Sequence, residues 1–214
     1  MQLKRNDQQD DFLTVIQLID EADFKSKEVG LFNCGDDDLN DFLINDAWGY
    51  KKHLLAETYL CYPTDLFNAD NKKPIAYISL CNDCIQIEKD QKKNELKKFY
   101  KKCIKKTLPN RKSLHSSFPA VKIARLAVHQ EVRRGGVGTH LLNMIKSLFL
   151  NDNRTGCKFL TVDAYNKKET ISFYEKKNQF DFLWEKDNEN RQRIMWFDLS
   201  SYDPAVSATS PLIK

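Results

Sequence analysis

The spacing of apolar and polar residues along the chain predicts a succession of short strands and amphipathic helices. Alternating or continuous apolar runs are typical of strands, and apolar residues three and four positions apart are typical of helices. The predicted strands are 57–62, 74–80, 121–128, 158–165, 180–185 and 193–199. The predicted helices are 36–50, 94–109, 136–150 and 168–177.

The order of these elements predicts the fold class. A strand, a glycine-rich loop, a helix and a second strand follow one another between 121 and 165. Such a βαβ unit places its two strands parallel, and the flanking hairpins make the sheet mixed. We therefore expect one α/β domain over 12–200, with a central mixed β-sheet flanked by helices. A basic helical insertion is expected at about 85–118, with tails at 1–11 and 201–214.

Composition narrows the class of protein. The 214 residues are 41% hydrophobic, which suits a single globular domain with a sizeable core. No apolar run is long enough to cross a membrane, and the first ten residues lack the apolar core of a secretory signal, so we expect a cytoplasmic protein without membrane contact. The "CNDC" stretch at 81–84 lacks the second CxxC that a four-cysteine zinc site needs. We expect no metal, and reduced, mostly buried thiols.

The positive charge is concentrated in one segment. Residues 89–112 contain eleven Lys or Arg and two acidic residues, so the rest of the chain is net acidic although the total is +4. The span Lys92–Lys112 is therefore a candidate contact for a polyanion such as a nucleic acid. A solvated helix face remains the alternative, because charge patterning by itself is weak evidence for a partner.

Three of the seven glycines fall within "RRGGVG" at 133–138, between a predicted strand and a predicted helix. Glycines let successive N–H groups converge, and a helix N-terminus adds partial positive charge, so the loop is typical of an anion site. A nucleotide P-loop needs a lysine after its last glycine, but Thr139 and His140 follow here. The glycine spacing also fails the dinucleotide fingerprint.

The same loop fits the pattern R/Q-x-x-G-x-G/A and resembles the pyrophosphate-binding loop of the GNAT acetyltransferases. The segment "VDAYNKKETISFYEKKNQFDFL" at 162–183 resembles a second GNAT motif, although Asn178-Gln179 stands where the family has a glycine. The resemblance implies acetyl-CoA as co-substrate and a bulged central strand along which the pantetheine arm lies. The contacts it implies are Leu126, Ala127, Val128, Arg133, Arg134, Gly135, Gly136, Val137, Gly138, Thr139, Asn166 and Phe173.

The resemblance also implies the catalytic groups. Tyr174 occupies the position beside the cofactor sulfur, where a phenol with a pKa near ~10 can protonate a departing thiolate. A purely packing role for Tyr174 stays open. The backbone N–H of Val128 is the candidate oxyanion donor. Glu57, Asp83 and Asp163, at strand ends, are candidate bases by their positions, and spacing does not choose among them. An ordered water, or a substrate amine that is already partly neutral, is the alternative to a carboxylate base.

The amino-terminal stretches "LFNCGDDDLNDFL" at 31–43 and "AETYLCY" at 56–62 resemble a GNAT branch that includes aminoacyl-tRNA-acetylating toxins. We therefore expect an acyltransferase that moves the acetyl group of acetyl-CoA to a primary amine, with aminoacyl-tRNA as the leading acceptor. A small-molecule or protein amine is the alternative acceptor, and a basic binding module without catalysis is the non-enzymatic alternative. An antitoxin partner and a homodimer are both compatible with this resemblance.

Overall fold

The computed structural model describes residues 14–69, 72–86, 99, 117–151, 155–184, 187–203 and 212–213. These residues form one eight-stranded sheet in the order β6-β7-β5-β4-β3-β2-β1-β8. The strands are β1 (Thr14–Leu18), β2 (Glu57–Pro63), β3 (Ala76–Gln86), β4 (Ser117–Val128), β5 (Phe159–Tyr165), β6 (Asp181–Phe182), β7 (Gln192–Asp198) and β8 (Leu212–Ile213). The β4–β5 and β1–β8 pairs are parallel and the other pairs are antiparallel. The predicted mixed sheet is confirmed.

The helices lie on both faces of the sheet. They are α1 (Glu21–Lys25), α2 (Lys27–Gly30), α3 (Asp37–Asp41), α4 (Ala47–Lys52), α5 (Val137–Asn151) and α6 (Lys168–Ser172). The π-helical segment Phe42–Asp46 joins α3 to α4, and a second one, Phe173–Lys177, continues α6. The predicted helix 36–50 is thus one rod of three segments.

Some elements differ from the prediction. The sequence pattern did not predict β1, α1 or α2, because five-residue and four-residue elements are too short to show a period. Asp20 and Ser26 start the two helices by accepting hydrogen bonds from the N–H groups of Asp23 and Val29. The strand predicted at 180–185 is only two residues long. Leu212–Ile213, in the segment predicted as a tail, pair with β1.

The basic segment and the amino-terminal tail were also predicted from the sequence. The helix predicted at 94–109 lies outside the described residues apart from Phe99, as does the tail 1–11. Phe99 packs in a buried aromatic cluster with Phe118, Phe159 and Trp196. At least one apolar residue of the basic segment is therefore anchored against the sheet.

Two apolar layers hold the helices against the sheet. On one face, α5 buries Leu141, Leu142 and Ile145 against β3, β4 and β5. On the other face, Phe42 and Leu43 of the α3–α4 rod pack on the sheet beside Tyr77. Each side chain of this size contributes about 1.5–3 kcal/mol when it leaves water. The two faces are therefore distinct environments, called here the α5 face and the α3–α4 face.

A β-bulge in β4 opens the sheet. Ser79 pairs with Arg125 whereas the next residue of β3, Leu80, pairs with Ile123, so Ala124 is the extra residue. The β4–β5 ladder covers only Ala120 to Ile123 of β4. Beyond Ile123 the parallel strands β4 and β5 have no ladder pairs, and a split opens between them. The bulge in β4 agrees with the bulged central strand that the resemblance implied.

Candidate active site

A cavity of about 470 Å³ lies at this split, between the end of β4, the glycine loop and the π-helical segment after α6. Most of the predicted contacts line it together. They are Leu126, Ala127, Val128, Arg133, Arg134, Gly136, Val137, Gly138, Thr139, Phe173 and Tyr174. The βαβ connection brings the loop and the tyrosine segment to the same strand end, because parallel strands end at the same edge.

The free edge of β4 faces the split. The N–H of His129 donates to the carbonyl of Ile75 at 2.8 Å, which fixes the phase of the antiparallel ladder with β3. Alternation then turns the main-chain groups of Ala127 toward β3 and those of Leu126 and Val128 toward the split. An extended amide-containing ligand can pair with this edge as an added strand does.

The glycine loop has the conformation of an anion-binding turn. Arg134 has φ +65° and Gly136 has φ +89°, and α5 begins at Val137 directly afterwards. Alternating backbone signs make successive N–H groups converge, and the first N–H groups of the helix point outward without intrahelical acceptors. The turn can therefore bind a pyrophosphate.

Two glycines of this loop are required for different reasons. A Cβ at Gly136 would meet no atom within 4 Å, so space is not the reason for a glycine there. The reason is the positive φ, which glycine adopts without the strain that other residues incur. A Cβ at Gly138 would stand 3.2 Å from Cζ of Phe173 and 3.5 Å from Cγ2 of Val128. Gly138 therefore permits the close approach of α5 to the tyrosine segment.

The "FNCG" motif at 32–35 forms the opposite wall. The guanidinium of Arg133 donates to the carbonyl of Cys34, and the N–H of Gln130 donates to the carbonyl of Asn33 at 2.9 Å. Cys34 and Leu39 line the cavity, although sequence reasoning assigned neither to the site. Both the "FNCG" motif and the glycine loop could be recognised in the sequence, but their spacing along the chain did not show that they contact each other.

Tyr174 lies on the α5 face at the cavity wall. Its ring packs edge-on against Phe173 and Phe180, with centroids 5.0 and 5.3 Å apart. Only 6% of the residue is exposed, and burial raises the pKa of the phenol above its ordinary value. The hydroxyl therefore stays protonated at neutral pH.

The turn after Tyr174 replaces the glycine that the family has there. Gln179 has φ +62° and takes the left-handed position. The side-chain amide of Asn178 donates to the carbonyl of Phe173 at 2.7 Å. Asn178 therefore caps the end of the π-helical segment, and Gln179 provides the left-handed residue that reverses the chain direction.

Other predicted residues lie elsewhere. The side-chain amide of Asn166 donates to the carbonyls of Asn188 and Asn190 at 2.7 and 3.0 Å, and Asn166 does not line the cavity. Glu57 lines a separate cavity of about 270 Å³ and lies 3.8 Å from the ammonium of Lys51. Asp83 and Asp163 belong to the α3–α4 face.

The described ranges lack two classes of feature. They contain no group of three His, Cys, Asp or Glu side chains arranged to hold a metal ion. Within the same ranges, none of the helices combines the length and the apolar character that crossing a membrane requires.

The comparisons with known proteins agree with this geometry. Residues 108–178 match the family model described as "Acetyltransferase (GNAT) domain". The matched segment includes the glycine loop and Tyr174, the two features on which the predicted likeness to the GNAT family rests. No curated protein sequence matches the chain significantly.

Solved structures share the fold. A tyrosine-to-phenylalanine mutant of KacT superposes with a TM-score of 0.65 at 18% identity, covering 88% of this chain and 96% of that one. The structure of AtaTR bound with acetyl-CoA superposes with a TM-score of 0.65 at 18% identity, and the match covers 88% of this chain and 95% of that one. The structure of AtaT complexed with acetyl-methionyl-tRNAfMet superposes with a TM-score of 0.63 at 19% identity, and the match covers 92% of this chain and 99% of that one. The predicted GNAT fold is confirmed over nearly the whole length of these chains.

Proposed function

We propose that this protein is an N-acetyltransferase that moves the acetyl group of acetyl-CoA to a primary amine, and that the amine belongs to an aminoacyl-tRNA. The observation that carries the proposal is the split beside β4. An anion-binding turn lies at one end of its cavity, and Tyr174 lies on its wall. A long co-substrate with a pyrophosphate and a thioester suits that arrangement.

The residues of the site have separate tasks in this reaction. The N–H groups around Gly136 bind the pyrophosphate, and the free main-chain groups of Leu126 and Val128 hold the pantetheine amides. The amine nitrogen attacks the thioester carbonyl, whose developing charge the N–H of Val128 stabilises. Tyr174 then protonates the departing thiolate. Positioning by the split supplies much of the rate.

The acceptor class rests on a likeness in fold. The neighbouring structure of AtaT contains acetyl-methionyl-tRNAfMet, and another AtaT structure is bound to the C-terminus of the antitoxin AtaR. The concentration of lysines at 89–112 favours a polyanionic acceptor here too. An antitoxin partner and a cytoplasmic location follow from the same proposal.

Acetyl transfer to aminoacyl-tRNA tests the proposal directly. The protein is incubated with radiolabelled acetyl-CoA and a total tRNA pool, either aminoacylated or left uncharged. Label should appear in the aminoacylated pool alone and leave the tRNA upon mild alkaline hydrolysis of the ester. Label transferred only to small amines or to protein would replace the proposed acceptor, and no thiol release with any amine would remove the enzymatic proposal.

The role of the basic segment is tested separately. We expect Lys97, Lys98, Lys101 and Lys105, replaced together by Gln, to weaken tRNA binding and to reduce its salt dependence. The affinity of this variant for acetyl-CoA should stay at the wild-type value. The control replaces the exposed Lys25, Lys27, Lys52 and Lys73 by Gln, which changes the net charge equally. Equal losses in both variants would show that only total charge matters.

A further inference from the structure

The α3–α4 face carries a polar patch directly behind the split. Alternation along β3, β4 and β5 places five polar side chains there, which together form the acceptor-side patch. They are Asp83, Lys122, Arg125, Thr161 and Asp163. Apolar packing around Phe42 borders the patch on one side and the aromatic cluster around Phe99 borders it on the other.

Asp163 stands at the point where the split begins. The last β4–β5 pair is Ile123 with Val162, so Asp163 is the first residue of β5 beyond the ladder. Its carboxylate lies 2.8 Å from the ammonium of Lys122, and 37% of its side chain is exposed. Tyr174 packs with the opposite face. A thioester in the split would therefore have the phenol on one side and this carboxylate on the other.

The other two candidate carboxylates are less suited to meet the thioester. Asp83 accepts a hydrogen bond from Thr161 and lies in the row of Ala120, three β4 residues before the end of the ladder. Glu57 alternates with Tyr59 and Cys61 and so belongs to the α5 face, beside Lys51. Position alone thus selects Asp163.

Arg125 supplies a fixed cation on the same face of the sheet, beyond the bulge in β4. The guanidinium carbon lies 3.8 Å from the centre of the Phe42 ring and 5.8 Å from that of Tyr50. Its buried Nε has no hydrogen-bond partner among the described residues. Stacking fixes the plane of the guanidinium, and a planar donor fork suits an ester carbonyl or a phosphate.

We propose that the acceptor-side patch receives an amine flanked by an oxygen-bearing ester or phosphate, with Asp163 accepting the proton of the amine and Arg125 binding the oxygen group. This inference rests on the proposed function and assigns the acceptor half of the same site. The carboxylate accepts a hydrogen bond from the neutral amine and directs its lone pair at the thioester carbonyl.

The proton balance then closes. The C–N bond forms, the C–S bond breaks, and the nitrogen loses one proton to Asp163 while Tyr174 gives one to the sulfur. Water returns the proton from Asp163 to the phenolate of Tyr174. Acetylated amine and free thiol are the products. Lys122 holds Asp163 in place before the acceptor binds.

The test uses chemical rescue. Asp163→Ala should lower kcat/KM for aminoacylated tRNA and for glycine methyl ester by about 100-fold or more. Acetyl-CoA affinity, measured by calorimetry, should change by no more than about twofold. Added formate or acetate should restore part of the turnover, because it occupies the vacated carboxylate position. The double variant Lys122→Met/Asp163→Ala removes the whole ion pair and guards against unfolding by an unpaired lysine.

Asp198→Ala is the matched control. It removes an ion pair of similar geometry, 2.6 Å long, between Lys158, directly before β5, and Asp198 of β7, away from the split. It should lose stability but keep turnover, and formate should not change it. Wild-type turnover in Asp163→Ala would overturn the assignment of Asp163. A loss of turnover that formate relieves neither in Asp163→Ala nor in Lys122→Met/Asp163→Ala would overturn it too. A wild-type protein inactive with both amines would instead refute the proposed function, and the assignment with it.

Discussion

Arg133 donates a hydrogen bond from its guanidinium to the main-chain carbonyl of Cys34, a residue 99 positions earlier in the chain. The bond joins the glycine loop to the "FNCG" motif. Gly35, with φ +71°, lies against the same guanidinium. The anion-binding turn is therefore supported by the amino-terminal half of the chain and not by the βαβ unit alone.

We expect Arg133→Met to lower stability by about 1.5–3 kcal/mol, because a charge-assisted hydrogen bond is lost and a buried carbonyl is left unpaired. Urea unfolding measures the change. Arg134→Met removes a charge from the same turn but no such bond, so its stability should stay near the wild-type value. Equal unfolding midpoints for the two variants would mean that the Cys34 contact is not important.

Gly136→Ala separates backbone strain from blocking of the site. A Cβ at this position has free space, so the substitution costs only the positive φ, about 1–2 kcal/mol. Gly136→Asp adds a negative charge beside the pyrophosphate and should lower acetyl-CoA affinity by roughly a further tenfold to hundredfold. Calorimetry on the folded variants measures both effects. Full affinity in Gly136→Asp would remove the cofactor assignment of the turn.

Tyr174→Phe should lower turnover by about 10²–10⁴-fold while acetyl-CoA affinity changes little. The ring remains to pack against Phe173 and Phe180, so the fold is kept. Stopped-flow detection of thiol release measures the loss. Tyr202→Phe, which removes a hydroxyl bonded to the carbonyl of Asn143, is the control and should turn over normally. Normal turnover in Tyr174→Phe would leave that residue with a packing role only.

Lys146 gives the protein a measurable pH dependence of stability. Its ammonium is buried, donates to the carbonyl of Asn178 at 3.0 Å and lies 3.8 Å from the centre of the Phe197 ring. Burial lowers the pKa of Lys146 to about 8. Between this value and the ordinary pKa of about 10.4, the unfolded chain binds more protons, so this group makes stability rise with pH.

Lys146→Met should therefore be more stabilising at pH 7 than at pH 10, by about 2–3 kcal/mol before the lost cation–π contact is counted. Urea unfolding at the two pH values measures the difference. Lys52→Met, at an exposed position, should show little difference between them. A pH-independent effect of Lys146→Met would show that the lysine keeps its ordinary pKa in the folded protein.

The sequence by itself determined the βαβ unit, the mixed sheet and the anion-binding loop. These features follow from local rules: apolar periodicity sets the strands and α5, and clustered glycines mark a backbone that side chains would obstruct. Tyr174 was singled out in the same way, because its motif is contiguous in the chain, and its catalytic role stays a prediction. The mixed α/β fold and its likeness to the GNAT acetyltransferases could thus be predicted before any contact was known.

Only the tertiary structure decided which distant residues meet. The bulge at Ala124 opens the sheet. In the sequence it shows only as a shift of phase in the apolar pattern between Ile123 and Leu126, which does not reveal where the β4–β5 ladder ends. Asp163 acquires its position because the β4–β5 ladder ends one residue earlier, and Arg133 acquires its partner because the α3–α4 rod folds back over the sheet. Such contacts join segments many residues apart, so their partners are set by how elements pack and not by the local order of residues.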